Sequence, residues 1–214
     1  MKIDMGIAEA VKGFLDPAEG RVLYETAKEA GRLGPCLEIG SYCGKSTVWI
    51  GAGCAEHGGI LFAVDHHGGS EEQQYGEEYF DSDLYDQSAK RVDTFGVFRK
   101  TLLEANLDDT VVPLVCRSEV AARMWNTPLG MVFIDGGHSF AAAFTDYNCW
   151  ARHIVPGGYL LIHDIFENPA DGGQAPWEVY RFALASGLFA PLPRVGTLGI
   201  LKRLGCGQVP QRGA

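Results

Sequence analysis

Two short stretches of the chain hold most of the groups able to do chemistry near neutral pH. Ile134-Asp135-Gly136-Gly137-His138-Ser139 and Ile162-His163-Asp164 each set an acid and an imidazole directly behind an apolar run. Carboxylate oxygen combined with imidazole suits a divalent ion such as Mg, Mn, Fe or Zn. The same groups suit general-base work. The plain alternative is that Asp135 and Ser139 cap the next helix and that His163 is a satisfied core histidine. For either stretch alone that alternative wins. Together, on adjacent strands, Asp135, His138, His163 and Asp164 favour a functional site.

A second constellation precedes them. Glu38-Ile39-Gly40-Ser41-Tyr42-Cys43-Gly44-Lys45-Ser46-Thr47 looks at first like a phosphate-binding loop, but that motif needs Gly at position 39, where Ile stands. Tyr42 likewise occupies the place of the second glycine in G-x-G-x-x-G. What remains is a Gly40-x-x-x-Gly44 turn behind an acid-bearing strand. Such a turn lets backbone approach a ligand closely and opens a helix whose N-terminus favours a carboxylate. Asp65 ends the next apolar run and suits a ribose diol, which a carboxylate accepts in a bidentate way. Ser118 follows a third run; it contacts an adenine edge or caps the helix behind it.

These residues need a frame that brings strand ends to one rim. Cys36–Ile39, Ile60–Val64, Val111–Val115, Met131–Ile134 and Tyr159–Ile162 are of strand length, and all but the third are near-continuously apolar. That is the texture of strands covered by helices on both faces. Helices are expected at about 45–56, 91–106, 118–126, 139–153 and 175–186. Ahead of them Asp16-Pro17-Ala18-Glu19 reads as a helix start, with an acid at the cap, Pro in the first turn and Glu three residues on; that helix should stop near Arg32. The alternation predicts an α/β doubly wound parallel sheet with ligands beyond the carboxyl ends of its strands. Phe189–Val195 and Thr197–Arg203, separated by Gly196, add an antiparallel strand. Residues 1–34 form an N-terminal helical segment, 35–204 the α/β domain with an insertion at 66–90, and 205–214 a frayed tail. The insertion, HHGGSEEQQYGEEYFDSDLYDQSAK, is acidic and aromatic with little periodicity. It reads as a lid or subunit contact rather than a solvated loop.

Composition narrows the function. With 214 residues and a net charge of −9, the chain has no basic stripe for nucleic acid. No apolar run approaches a membrane span, and Asp4 interrupts any signal-peptide core. Cysteines 36, 43, 54, 116, 149 and 206 lack metal-site spacing and are expected to be reduced thiols in a cytoplasmic protein.

LEIGSYCGKST, LFAVDHH, VFIDGGHSFAAAFTDYNCWARHIVPGGYLLIHDIF and the two final strands resemble a class I S-adenosylmethionine-dependent methyltransferase over roughly residues 35–203. More narrowly, they are similar to the small-molecule O-methyltransferase group that includes macrocin-type and cephalosporin hydroxylase-like proteins. The resemblance implies a Rossmann-like seven-stranded sheet, the last strand antiparallel. It implies that Glu38, Gly40 and Ser41 hold the methionine end of the cofactor, Asp65 its ribose, Ser118 the vicinity of its adenine, and that Asp135 faces the sulfonium and methyl. Many such relatives are metal-dependent; the matching positions are Asp135 and Asp164, with His138 or His163 nearby. The catechol-type enzymes have Asp-Asn where this chain has His163-Asp164. An ion would lower the acceptor hydroxyl's pKa; without one, His138 or His163 is the base. The insertion, with His66, His67 and its tyrosines, would close over a small hydroxylated acceptor. A homodimer is the expected assembly. Two other classes stand beside this: a nicotinamide-dependent oxidoreductase of similar fold and a non-catalytic cofactor-binding partner protein. A hydroxylase would need iron and an oxidisable substrate.

Overall fold

Nine strands and seven helices make up the fold in the computed structural model, which describes residues 5–77 and 79–205. The expected frayed tail beyond Gly205, with Cys206, lies outside the described residues. The strands are β1 (Cys36–Ile39), β2 (Leu61–Asp65), β3 (Tyr85–Asp86), β4 (Arg91–Val92), β5 (Val111–Val115), β6 (Leu129–Ile134), β7 (Ile154–Ile162), β8 (Phe189–Val195) and β9 (Leu198–Arg203). The helices are α1 (Met5–Ala10), α2 (Pro17–Ala30), α3 (Lys45–Ala55), α4 (Phe95–Glu104), α5 (Ser118–Ala122), α6 (Phe140–Trp150) and α7 (Ala175–Ala185). Seven strands form one sheet in the order β5-β2-β1-β6-β7-β9-β8. The first five of that order run parallel, and β9 is antiparallel to both its neighbours.

Side-chain alternation explains why the strands read as solid apolar runs. Cys36, Met131, Phe133, Tyr159 and Leu161 point to the layer of α2, α3 and α4, where Leu23, Trp49 and Phe98 lie. Leu37, Ile39, Val132, Ile134, Leu160 and Ile162 point to α5, α6 and α7, against Trp150 and Val179. Both faces are buried, so period two leaves no polar partner in the sequence. Pro113 in β5 and Pro191 and Pro193 in β8 lie on the two edge strands, where a missing N–H costs no interior ladder bond.

The structure shifts several expected boundaries. The helix expected from 91 begins at Phe95, because Arg91 and Val92 pair with Tyr85 and Asp86. The helix expected to 126 ends at Ala122, and β7 begins at Ile154, ahead of its expected start. Thr197 belongs to the turn, since its N–H and hydroxyl both donate to Glu19. The insertion is ordered by its own devices: single 3-10 turns at Glu71–Gln73 and Ser82–Leu84, and a hairpin whose Val92, with Leu84, packs on Cys43.

The ends of β1 and β6 touch. Gly40 has φ +88°, and a Cβ there would overlap the carbonyl oxygen of Asp135. Its N–H donates to the Val64 carbonyl at 3.0 Å, while the Asp135 N–H donates to that of Ile39 at 2.9 Å. Gly40→Ala must therefore pry the two strand ends apart as well as strain the backbone. It should cost roughly 2–4 kcal/mol, read as a lower urea midpoint; an unchanged midpoint would refute the close approach.

Candidate active site

The glycine turn is built from β1 outward. Gly44, at φ +96°, sits at the start of α3. Glu38 is fully buried and accepts from the Ser46 and Thr47 hydroxyls, both at 2.6 Å. Burial pushes its carboxyl up to about 7, against the pull of those hydroxyls. Glu38 thus faces the first turn of α3 and braces the glycine turn from behind. Ser41 is buried, and its Oγ makes no well-formed hydrogen bond among the described residues.

Asp65 does not present an unengaged carboxylate. Its Oδ2 accepts from the Tyr42 N–H at 2.8 Å and its Oδ1 from the His67 N–H at 2.7 Å. One lone pair on each oxygen remains for a diol. Ser118 neither caps α5, whose cap residue is Arg117, nor stands open. Its Oγ accepts from the Trp150 indole N–H at 2.7 Å. Nearby, burial pushes the Asp146 carboxyl up to about 6.

At the ends of β6 and β7 the acids and imidazoles converge around His163. Strand alternation turns His163 toward α2, on the same side as Leu161. Its Nε2 lies 3.0 Å from Glu19 and its Nδ1 3.1 Å from Asp135, with Asp164 at 3.5 Å. Burial alone would lower the imidazole; the carboxylates of Asp135, Asp164 and Glu19 outweigh it and hold the ring well above its ordinary value. Each ring nitrogen faces a carboxylate, an arrangement that favours the protonated ring. Both ring nitrogens of His163, expected from the sequence as a base or metal ligand, are thus engaged by carboxylates. Burial would raise Glu19 too, but His163 and the Thr197 N–H and hydroxyl hold it below the usual range.

His138 and Asp164 complete the cluster. Asp164 takes a left-handed φ of +57°, which folds its carboxylate back to within 2.9 Å of His138 Nε2. Residues held in that region cluster at functional sites. Burial would raise Asp164, but the two imidazoles hold it well below the carboxylate range. His138 is pushed up to about 9, by Asp164 first and by Glu72 in addition. Asp135, His138 and Asp164 each offer one donor atom within 4.8 Å of the others; His163 is not among them. Burial raises the Asp135 carboxyl, against the pull of His163. The two insertion histidines stay outside the cluster: His67 is buried against Phe95 and Phe98 with Nδ1 2.7 Å from Thr94, and His66 holds the Gly68 N–H.

Three contributors escape a sequence-level search. Glu19 is legible only as the capping-box residue, which it also is, accepting from the Asp16 N–H at 3.3 Å. Glu72 lies in the acidic insertion; the Ser70-x-x-Gln73 capping signature around it was the available signal. Asp146, within α6, carries no signal in its spacing.

The cluster fixes two expectations. Glu19→Ala would leave a buried imidazolium short of a partner and should cost about 3–5 kcal/mol in denaturant unfolding; a loss below about 1 kcal/mol would contradict the pair. His138 has a folded-state pKa above its unfolded one. Its ion pairs therefore stabilise fully below about 6.5 and cease to do so as pH rises through about 9. The stability gap between wild type and His138→Gln should shrink across that window, and a gap independent of pH would rule the pairing out.

Comparison with known proteins places this geometry. A family model described as a methyltransferase domain matches residues 37–165, more than half of the chain. The O-methyltransferase TomG from Streptomyces achromogenes, solved in complex with SAM, is similar at 16% identity, covering 95% of this chain and 92% of that chain with a TM-score of 0.65. An O-methyltransferase from Bacillus cereus in complex with SAH is similar at 16% identity, covering 93% and 88% with a TM-score of 0.62. A putative caffeoyl-CoA O-methyltransferase from Staphylococcus aureus has 10% identity, covering 94% and 90% with a TM-score of 0.59. Those structures share the fold, and the family match runs from within β1 past the end of β7: the chain belongs to the methyltransferase-domain family.

Proposed function

We propose that this protein moves the methyl group of S-adenosylmethionine to a hydroxyl of a small metabolite, with a divalent cation held by Asp135, His138 and Asp164. The observation that carries this is the contact of Gly40 with Asp135, which sets the glycine turn and the acid–imidazole cluster side by side. The turn fits the cofactor: it leads from the end of β1 into the N-terminus of α3, where a ligand carboxylate is favoured, and the buried Ser41 Oγ makes no well-formed hydrogen bond among the described residues. The cluster fits a cation, since two carboxylates and an imidazole converge within 4.8 Å. When bound, S-adenosylmethionine supplies an electrophilic methyl, and the cation lowers the pKa of an acceptor hydroxyl.

The chain's own residues do the rest. Asp135 is oriented through His163 on its Oδ1, while its Oδ2 accepts no hydrogen bond among the described residues. That oxygen is left for cation or acceptor proton. Against burial, His138 first, and His163 with it, hold the Asp164 carboxyl well below the usual carboxylate range beside it. Glu38 and Asp65 brace the glycine turn from either side, so the turn is shaped before a ligand arrives.

The surroundings narrow the acceptor. Exposed rings of Phe14, Tyr75 and Tyr79 stand with acids Glu71, Glu77 and Asp83, while Lys12 is tied to Asp81 and Asp83. Such a surface favours a neutral or cationic acceptor over one bearing phosphates. The five described cysteines are free thiols, which supports a reducing, cytoplasmic setting. Among the described residues no helix is long and apolar enough to cross a membrane. The insertion's exposed rings support a homodimer. An oxidoreductase is disfavoured by Tyr42, whose N–H is committed to Asp65 where a dinucleotide loop has glycine.

Calorimetric titration with S-adenosylhomocysteine, with and without EDTA, tests the reading on wild type, Asp65→Ala and Asp164→Asn. Roughly micromolar binding, lost in Asp65→Ala and retained in Asp164→Asn, is expected. A protein that binds in none of these conditions is not such an enzyme.

A further inference from the structure

The insertion does more than lie beside the site. It leaves the sheet after β2 and returns at α4, yet Glu72 reaches His138, which follows β6. In the sheet β1 lies between β2 and β6, so residues 66–72 cross over the end of β1, above the glycine turn. There Glu72 Oε2 lies 3.0 Å from His138 Nδ1. The loop that delivers it is constructed rather than loose. Ser70 and Gln73 cap each other, and the Gln74 side-chain amide donates to the carbonyls of Gly68, Gly69 and Ser70 at 3.1, 3.2 and 2.8 Å. The Glu72 carbonyl accepts from the Tyr79 N–H at 3.1 Å, and Tyr79 packs on Phe14.

We propose that Glu72 is a positioning residue of the cation site, and that it makes closure of the insertion over the glycine turn depend on the cation. The inference rests on the cation reading above. His138 has two ring nitrogens: Nε2 faces Asp164 and the donor cluster, Nδ1 faces Glu72. A cation ligated by Nε2 requires the tautomer with hydrogen on Nδ1, and that hydrogen donates to Glu72. A carboxylate on the far nitrogen fixes the ring and raises its basicity as a ligand. Reciprocally, relative to the neutral ring, whose hydrogen can sit on either nitrogen, a cation on Nε2 fixes it on Nδ1 and strengthens the bond that keeps the insertion closed. By linkage, whatever closure adds to cation affinity, the cation returns to closure.

The test uses Mn2+ as probe on the whole chain, with calorimetric affinity and hydrogen exchange of residues 66–77 as readouts. Glu72 is half exposed, so its variants should fold. Glu72→Ala should weaken Mn2+ binding roughly 10- to 100-fold and abolish the slowing of exchange that Mn2+ causes in the wild type. Glu72→Gln, which still accepts from Nδ1–H, should recover part of both. Glu77→Ala, a nearby exposed acid, should change affinity by no more than about twofold, as a screened surface charge does. Wild-type affinity in Glu72→Ala, or exchange indifferent to Mn2+, overturns the proposal while leaving the cation site standing. A wild type that binds no Mn2+ overturns both, and S-adenosylhomocysteine binding then still decides the methyltransferase reading.

Discussion

A buried imidazole with a carboxylate on each nitrogen is the constraint from which the rest of this site follows. Glu19, His163 and Asp135 form a hydrogen-bonded triad, with His163 and Glu19 each only 5% exposed. Desolvating such charges is expensive, and only close, well-aligned partners offset it. Every element near the triad serves that alignment. The Thr197 N–H and hydroxyl satisfy the second oxygen of Glu19, which ties the β8–β9 turn to α2. Phe133 packs edge-on to the His163 ring. Asp164 accepts a left-handed backbone to stay within reach. Helix α2 is thus anchored to the carboxyl end of β7, although it lies outside the matched family segment.

Charge balance then separates two imidazoles that look alike in the sequence. Both ring nitrogens of His163 are engaged, by Glu19 and by Asp135. His138 stands at the rim with one nitrogen toward the cluster and one toward the insertion. This division leaves Asp135, His138 and Asp164 as the groups able to meet a ligand. The Gly40 contact with Asp135 transmits position between the two halves of the rim, because neither strand end can move without the other.

Much of the fold was legible because its signals are local. Continuous apolar runs with glycine turns identify a parallel sheet covered on both faces, and the Asp16–Glu19 capping box marks the start of α2 to the residue. Gly196 marked the reversal that yields the antiparallel β9. Which acids and imidazoles gather was legible too, since each follows directly on a strand. Their division of labour was not. That His163 turns inward follows from alternation along β7, but its partner Glu19 lies 144 positions away, and no spacing announces a contact set by the packing of α2. Glu38 and Asp65 were legible as acids at strand ends, while their engagement with Ser46, Thr47, Tyr42 and His67 depends on turn conformations that sequence patterns do not resolve. The insertion resisted because its order comes from side-chain caps and a two-residue hairpin rather than from periodicity.

The measurement that bears most directly on this account is a histidine-selective nitrogen NMR spectrum of the protein, with His163 assigned by substitution. The account predicts that both ring nitrogens of His163 carry protons near neutral pH. A neutral tautomer of His163 near neutral pH would contradict it, returning His163 to the pool of bases and ligands and dissolving the distinction on which the site rests.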